Sequence, residues 1–239
     1  ELKLARPPVN ALNPELCNDL RAALAAAVRD GAQGIVLSGG PKVFSAGLDV
    51  PFLLSLGDDR AALMTAWSAF FDAARALAET PVPVAAALAG HAPAGGCVLA
   101  LCCDYRVMAE GPYRLGLNET QVGLVAPEGV QWLMRRVVGL HRAERLLVAG
   151  EMLESAQAHA IGLVDELTDI DNVATRARVW LEGLVALPRE PMLRTRAISR
   201  ADVVAAMQPE RLQLASFVDA WSAPDTQAGL KALIARLGK

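Results

Sequence analysis

Gly90-His91-Ala92-Pro93-Ala94-Gly95-Gly96-Cys97-Val98-Leu99-Ala100-Leu101 is an apolar run whose centre is made of small residues. It follows Val82-Pro83-Val84-Ala85-Ala86-Ala87-Leu88, a continuous apolar stretch that reads as a buried strand. The turn at Ala94-Gly95-Gly96 then leads into a short buried helix over 96–102. Small residues let a backbone approach a ligand closely, and the first N–H groups of a helix have no intrahelical acceptor. These are the ingredients of an oxyanion hole. Taken alone, the same turn also reads as an ordinary strand-to-helix junction.

The alternation of strand and helix extends outward from this run. Residues 14–30 predict a helix, with Pro14 at its start, Leu16, Leu20, Leu24 and Val28 on one face, and Gly31 beyond its end. Residues 34–38 form a short apolar run that ends at Gly39-Gly40-Pro41, as a buried strand would. Arg60 to Glu79 is helical, with Leu63, Trp67, Phe70, Phe71, Ala74 and Leu77 recurring at helical spacing. Strands are expected over 105–109 and 113–117, and helices over 131–138 and 142–149. From Ser155 the chain reads as a capped short helix, a stop at Gly162 and a strand. The class is α/β, with strands covered by helices. After Pro188 the chain is helical to Lys239 with no strand, so residues 1–187 form the core and 188–239 a helical C-terminal region.

Two further segments carry chemistry. Phe44-Ser45-Ala46-Gly47-Leu48-Asp49 follows a strand and again offers small residues with exposed N–H groups. It lacks the phosphate-loop pattern, and in isolation it reads as a loop-to-helix junction with Asp49 as the cap. Gly116-Leu117-Asn118-Glu119 sets one carboxylate on a strand end or loop among Leu117, Val122, Leu124 and Val125. Desolvation there would raise its pKa and let it alternate between base and acid. His91, His141 and His159 form no dyad or metal pattern, and Ser45 has no base in view, so nucleophilic catalysis is unsupported.

Composition narrows the classes further. With 239 residues, 53% of them hydrophobic, the chain can bury a large core. A net charge of −3 without a basic run argues against nucleic acid as a partner. Cys97, Cys102 and Cys103 match no zinc spacing and read as buried free thiols, which favours a reducing compartment. The longest apolar stretch, from Val82 to Leu101, is broken by Pro83, Gly90, Pro93, Gly95 and Gly96, and falls short of a membrane span of ~18 residues. No signal peptide or transit segment is expected in the residues given, which open on Glu1.

Together, Arg6-Pro7-Pro8-Val9-Asn10-Ala11-Leu12, Phe44–Asp49, Gly90–Asp104, Gly116–Glu119 and the stretch around Ala156–Val164 resemble the crotonase (enoyl-CoA hydratase/isomerase) superfamily. Within it, Pro93–Cys97, Cys103–Arg106 and Gly116–Gln121 look most like the 3,2-trans-enoyl-CoA isomerases of mitochondrial type. The resemblance implies a crotonase-like spiral of ββα units with a helical C-terminal domain. It also implies an acyl-CoA substrate, no cofactor beyond the CoA carried by that substrate, and a homotrimer or dimer of trimers formed through the C-terminal helices.

Residue by residue, the resemblance assigns Leu48 and Gly95 as the oxyanion donors and Glu119 as the catalytic glutamate. Ala46, Gly47, Leu48, Asp49 and Val50 would line the path of the CoA moiety, and Asn118 would lie beside the substrate. Val98 falls where hydratases carry a second glutamate, which favours isomerisation over hydration. Glu128, a candidate second acid, would restore hydration or dienoyl-CoA isomerisation if it reached the pocket. It also reads as a first-turn glutamate favoured by the helix dipole. Trp67, Phe70, Phe71, Phe217 and Trp221 are candidates for the acyl tail, and Lys42 for a CoA phosphate. A catalytically silent acyl-CoA-binding relative is the reading from another class. Four Lys against nineteen Arg, with abundant Ala, suggests a bacterial cytoplasmic enzyme, or a mitochondrial matrix one if the source is eukaryotic.

Overall fold

The computed structural model describes residues 1–236; the last three residues of the expected helical run, 237–239, lie outside them. The strands are β1 (Leu2–Lys3), β2 (Ile35–Ser38), β3 (Val84–Leu88), β4 (Ala92–Pro93), β5 (Tyr105–Ala109), β6 (Arg114–Gly116), β7 (Leu153–Glu154) and β8 (Glu166–Thr168). They form two sheets. One is fully parallel in the order β1-β2-β3-β5-β8, and the other runs β4-β6-β7, with β4 and β6 parallel and β7 antiparallel to β6. The chain alternates between them. β3 and β5 enter the first sheet, and each is followed at once by a strand of the second. This is the spiral of ββα units.

The helices of the core are α1 (Pro14–Arg29), α2 (Val50–Ser55), α3 (Arg60–Glu79), α4 (Gly95–Leu101), α5 (Glu128–Val138), α6 (Leu140–Ala149), α7 (Ser155–Ala160) and α8 (Val173–Val185). After them come α9 (Arg189–Ser199), α10 (Ala201–Ala206), α11 (Pro209–Leu212), α12 (Leu214–Trp221) and α13 (Pro224–Arg236). Local chemistry explains several of these boundaries. Asn13 Oδ1 accepts from Leu16 N at 3.0 Å with Pro14 in the first turn, so α1 starts where a cap and a pre-set φ coincide. Asp59 Oδ1 does the same for Ala62 N at the start of α3. At α7 the cap is Glu154, one residue before Ser155, paired reciprocally with Gln157.

β2 and β3 are buried along their whole length. On one face they meet α8 through Val36, Ala85, Ala87, Val173, Ala177 and Leu181; the other face belongs to the main core. Alanine is a poor strand former, yet β3 holds three in a row. Buried on both faces, it is stabilised by packing, and its short side chains let α8 lie close. The helix start expected after Asp49 is α2, whose first turn that carboxylate caps, whereas α8 was not read from the sequence. On α1 the buried face is Cys17, Leu20 and Leu24, with Leu16 and Val28 only half-buried.

The apolar residues of α10 to α13, including Val203, Met207, Phe217, Trp221 and Leu230, join the same core as α1, α3 and α4. One charged clamp fastens this region: Arg196 grips Asp104 through Nε at 2.8 Å and Nη2 at 2.9 Å. Arg200 Nε lies 3.2 Å from the same carboxylate, and its Nη2 donates to Cys102 O at 2.7 Å. Apart from Arg196, which makes this clamp, α9 is mostly exposed.

Candidate active site

Two turns meet at the mouth of a cavity. The first, residues 44–49, is held by the parallel bridge of Leu12 with Leu48 and that of Val43 with His91. The second follows β4, where Ala94 N donates to Gly116 O at 2.8 Å. Ala94 has φ +46° and ψ −118°, a conformation an L-residue adopts only under constraint, at a cost of about 1–3 kcal/mol. That strained residue reverses the chain and starts α4 at Gly95. A Cβ on Gly47 would lie 3.2 Å from Ala94 Cβ and 3.3 Å from Gly95 N, so the two turns are in contact and Gly47, at φ +81°, is fitted to the gap. Among the described residues no acceptor takes the N–H of Leu48 or that of Gly95. Two unsatisfied donors on adjoining turns suit an oxygen that gains negative charge.

Glu119 opens a 3-10 helix over Glu119–Val122, directly after β6; the strand end or loop expected there is replaced by this tighter turn. The residue as a whole is half-buried, but its Oε2 is buried and has no hydrogen-bond partner. Burial pushes its pKa up to about 7, with its own backbone N–H acting weakly the other way. A carboxyl of that kind is part-ionised near neutrality and can both take and return a proton. Leu117, Val122 and Leu124 are buried around it as expected, whereas Val125 is turned out to solvent, 69% exposed.

Ala46, Leu48, Gly95, Val98, Asn118 and Glu119 all line one cavity of about 230 Å³. Glu119 is the one ionisable side chain among its lining residues. The far wall is aromatic, built by Trp67, Phe70 and Phe71 of α3 with Phe217 and Trp221 of α12. Trp67 and Phe217 meet edge to face at 4.5 Å, and Trp67 and Trp221 at 5.8 Å. Leu230 and Leu233 of α13 complete the wall, which sequence reasoning missed. Their spacing of three is a helical-face signal, but nothing local ties that face to Glu119. A second hollow, of about 320 Å³ and bordered by Arg6, Pro7, Pro8 and Asp49, shares Ala46, Leu48, Val50 and Leu233 with the cavity and so adjoins it.

The remaining sequence-predicted residues fall elsewhere. Asp49 lines the outer hollow, but its carboxylate is already engaged: Oδ1 caps α2 through Phe52 N at 3.1 Å and Oδ2 pairs with Arg6 at 2.7 Å. Gly47 packs beneath the turns. Glu128 begins α5 and does not line the cavity; its carboxylate, half exposed, lies between Arg211 at 3.7 Å and Arg135 at 3.9 Å. Lys42 is exposed. Cys97, Cys102 and Cys103 are free and buried, and desolvation pushes the Cys97 and Cys102 thiols up to about 12. His91 Nδ1 accepts from Arg114 N at 3.0 Å, while His141 and His159 are exposed.

Comparison with known proteins adds an independent line. A family model described as enoyl-CoA hydratase/isomerase matches residues 1–235. Mouse mitochondrial enoyl-CoA delta isomerase 1 is 37% identical over 190 residues, 78% of this chain; the match spans 65% of the mouse protein, just under two thirds of its length. A probable enoyl-CoA hydratase of Mycolicibacterium paratuberculosis is 32% identical over 223 residues, 90% of this chain and 86% of that one. Among solved structures, human mitochondrial delta3-delta2-enoyl-CoA isomerase aligns with a TM-score of 0.91 at 32% identity, covering 98% of this chain and 91% of that one.

Proposed function

The chain belongs to the enoyl-CoA hydratase/isomerase family, and we propose that it is a delta-isomerase, converting 3-enoyl-CoA to 2-trans-enoyl-CoA in fatty acid β-oxidation. The observation that carries this reading is the single ionisable group of the cavity. Glu119 is the one ionisable side chain among the cavity's lining residues, and the buried Val98 beside it falls where the family resemblance puts the second glutamate of hydratases.

The chemistry follows from the substrate. The C2 protons of a 3-enoyl thioester are acidic because the electron pair released on deprotonation delocalises onto the carbonyl oxygen. The N–H groups of Leu48 and Gly95 receive that oxygen, and losing one such donor typically costs ~10²–10³ in rate. The Glu119 carboxylate takes the C2 proton, the C2–H bond breaks, and its electron pair joins the dienolate. The same proton is returned at C4, the C2=C3 bond forms, and no atom is gained or lost. Asn118 and Val98 flank the reacting carbons, and the apolar lining keeps water away from the dienolate. The CoA portion runs over Ala46–Val50 into the outer hollow. The reaction as proposed draws on no cofactor.

Glu119→Gln tests the reading: isomerisation falls by at least ~10²-fold while acyl-CoA binding persists. Offering 3-enoyl-CoA and 2-enoyl-CoA separately discriminates the alternatives through the conjugated enoyl-thioester absorbance. A rise with the first supports the isomerase. A fall with the second supports a hydratase, and neither response indicates a silent binding protein. A homotrimer or dimer of trimers is part of the proposal, supported by the mostly exposed α9 and by exposed Leu187 and Ile198; sedimentation analysis tests it. Among the described residues no helix is long and apolar enough to cross a membrane. A bacterial cytoplasm is the compartment we favour.

A further inference from the structure

The motif Arg6–Leu12 has no part in the chemistry above, yet it forms the bed on which the Leu48 turn rests. Asn10 is its centre. It is 5% exposed and sits at φ +50°, the left-handed region that Asn tolerates better than most residues. Each of its polar groups is engaged. The side chain donates through Nδ2 to Phe44 O at 3.0 Å and accepts at Oδ1 from Arg6 N at 2.9 Å. The backbone N–H donates to Arg6 O at 2.8 Å, and the carbonyl accepts from Ser45 Oγ at 2.8 Å.

Ser45 is fully buried and completes the connection, because its Oγ also accepts the N–H of Gly47 at 3.2 Å. Leu12 N donates to Gly47 O at 2.8 Å and Asp49 N to Leu12 O at 3.0 Å. The peptide groups on both sides of Leu48 N are thereby held, the Gly47 N–H is consumed, and the Leu48 N–H is left unpaired. A serine with no base beside it and an asparagine remote from Glu119 thus share one consequence.

We propose that Asn10 and Ser45 are positioning residues that aim the Leu48 N–H at the thioester oxygen. The inference rests on the reading of Leu48 as an oxyanion donor. A displacement of about 1 Å at such a donor is enough to cost up to ~10²-fold in rate. Neither residue lines the cavity, so substrate affinity is affected far less than turnover.

The experiment compares wild type, Asn10→Gly and Ser45→Ala in steady-state isomerisation. In parallel, the carbonyl stretch of bound 2-trans-enoyl-CoA is followed by difference infrared spectroscopy. Asn10→Gly keeps the left-handed backbone accessible and removes only the side-chain bonds, and Ser45→Ala removes one hydroxyl, so both are chosen to preserve the fold. The expected result is a kcat lowered about 10–100-fold, a KM within about threefold of wild type, and a bound carbonyl frequency shifted back toward its value in water. A wild-type frequency lowered on binding and fully retained in both variants overturns the positioning role and leaves the oxyanion reading intact. A wild-type frequency that does not change on binding overturns the oxyanion reading itself, and the inference with it. The spectroscopic readout is taken on folded, ligand-bound protein, so reduced stability in a variant cannot imitate either outcome.

Discussion

A Cβ on Gly95 would come within 2.9 Å of Leu48 Cδ1, so the two residues proposed to share the substrate oxygen also share one tight contact. Leu12 Cδ1 and Phe70 Cε2 would each lie 3.1 Å from the same added atom. Two of the three are leucine methyls and the third is the edge of a buried aromatic ring, so Gly95→Ala pushes on side chains rather than on backbone. We expect a stability loss of about 1–3 kcal/mol from overpacking. Because Leu48 is what must move, turnover falls about 10–100-fold with it. Thermal melts and kcat for 3-enoyl-CoA check both; unchanged kcat would show that the Leu48 N–H keeps its place when its side chain shifts.

The raised pKa of Glu119 makes a prediction for rate. As the base it must be ionised, so kcat/KM rises about tenfold per pH unit in acid and levels off above about 7. A profile that levels off near the ordinary 4.5 would contradict the buried state of the carboxyl.

Stability carries the opposite sign. Below about 4.5 the carboxyl is protonated in both folded and unfolded chains, and stability is fully present. As pH rises toward 7 the unfolded chain loses its proton first, so stability declines and reaches its floor above the folded value. Glu119→Gln removes this cost. The variant should be more stable than wild type above pH 7 by on the order of 3 kcal/mol, with the difference vanishing below pH 4.5. Urea midpoints at pH 4.5, 6 and 8 measure it, and a pH-independent difference would count against the linkage.

Leu230 is fully buried and lines the cavity beside its aromatic wall. Leu230→Ala should cost about 2–5 kcal/mol and lengthen the space beyond the aromatic wall. The ratio of kcat/KM for a longer to a shorter 3-enoyl-CoA should rise, each methylene accommodated being worth up to about 1–3 kcal/mol. A variant with an unchanged ratio would mean that the acyl chain runs elsewhere.

Asp104 neutralises Arg196 and Arg200, and all three side chains are nearly buried. Asp104→Ala leaves two buried cations without their carboxylate, and we expect a loss of about 3–5 kcal/mol in denaturant unfolding. A loss below 1 kcal/mol would show that the clamp is solvated in solution.

Much of the fold is legible because its signals are local. α1 and α3 announce themselves through a cap residue and an apolar stripe, and β2, β3 and β5 through short apolar runs bounded by turns. The start of α2 was legible too, since Asp49 reads as a cap and the proline at position 51 falls in the first turn, where it is tolerated. α8 carries its apolar residues among arginines, a pattern that does not reveal which sheet face it covers. At the site, the two glycine turns and Glu119 were readable from residue type and order. Glu128 was legible as a first-turn helix glutamate, but its pairing with Arg211 was not, because that residue lies on a helix far along the chain and only packing brings the two together. Leu230 and Leu233 were missed for the same reason.

The pairing of α13 with the Glu119 turn has a consequence for the order of events during synthesis. Thr226 Oγ1 donates to Gly123 O at 2.6 Å, and Gly229 fits against Val122 so closely that a Cβ would lie 2.7 Å from its carbonyl carbon. Until those residues leave the ribosome, the turn bearing Glu119 has no roof, and the hollow beneath it is an open greasy trough. Its carboxylate is then hydrated and no more basic than any other. The apolar surroundings of Glu119 are therefore complete only once α13 has docked on its turn.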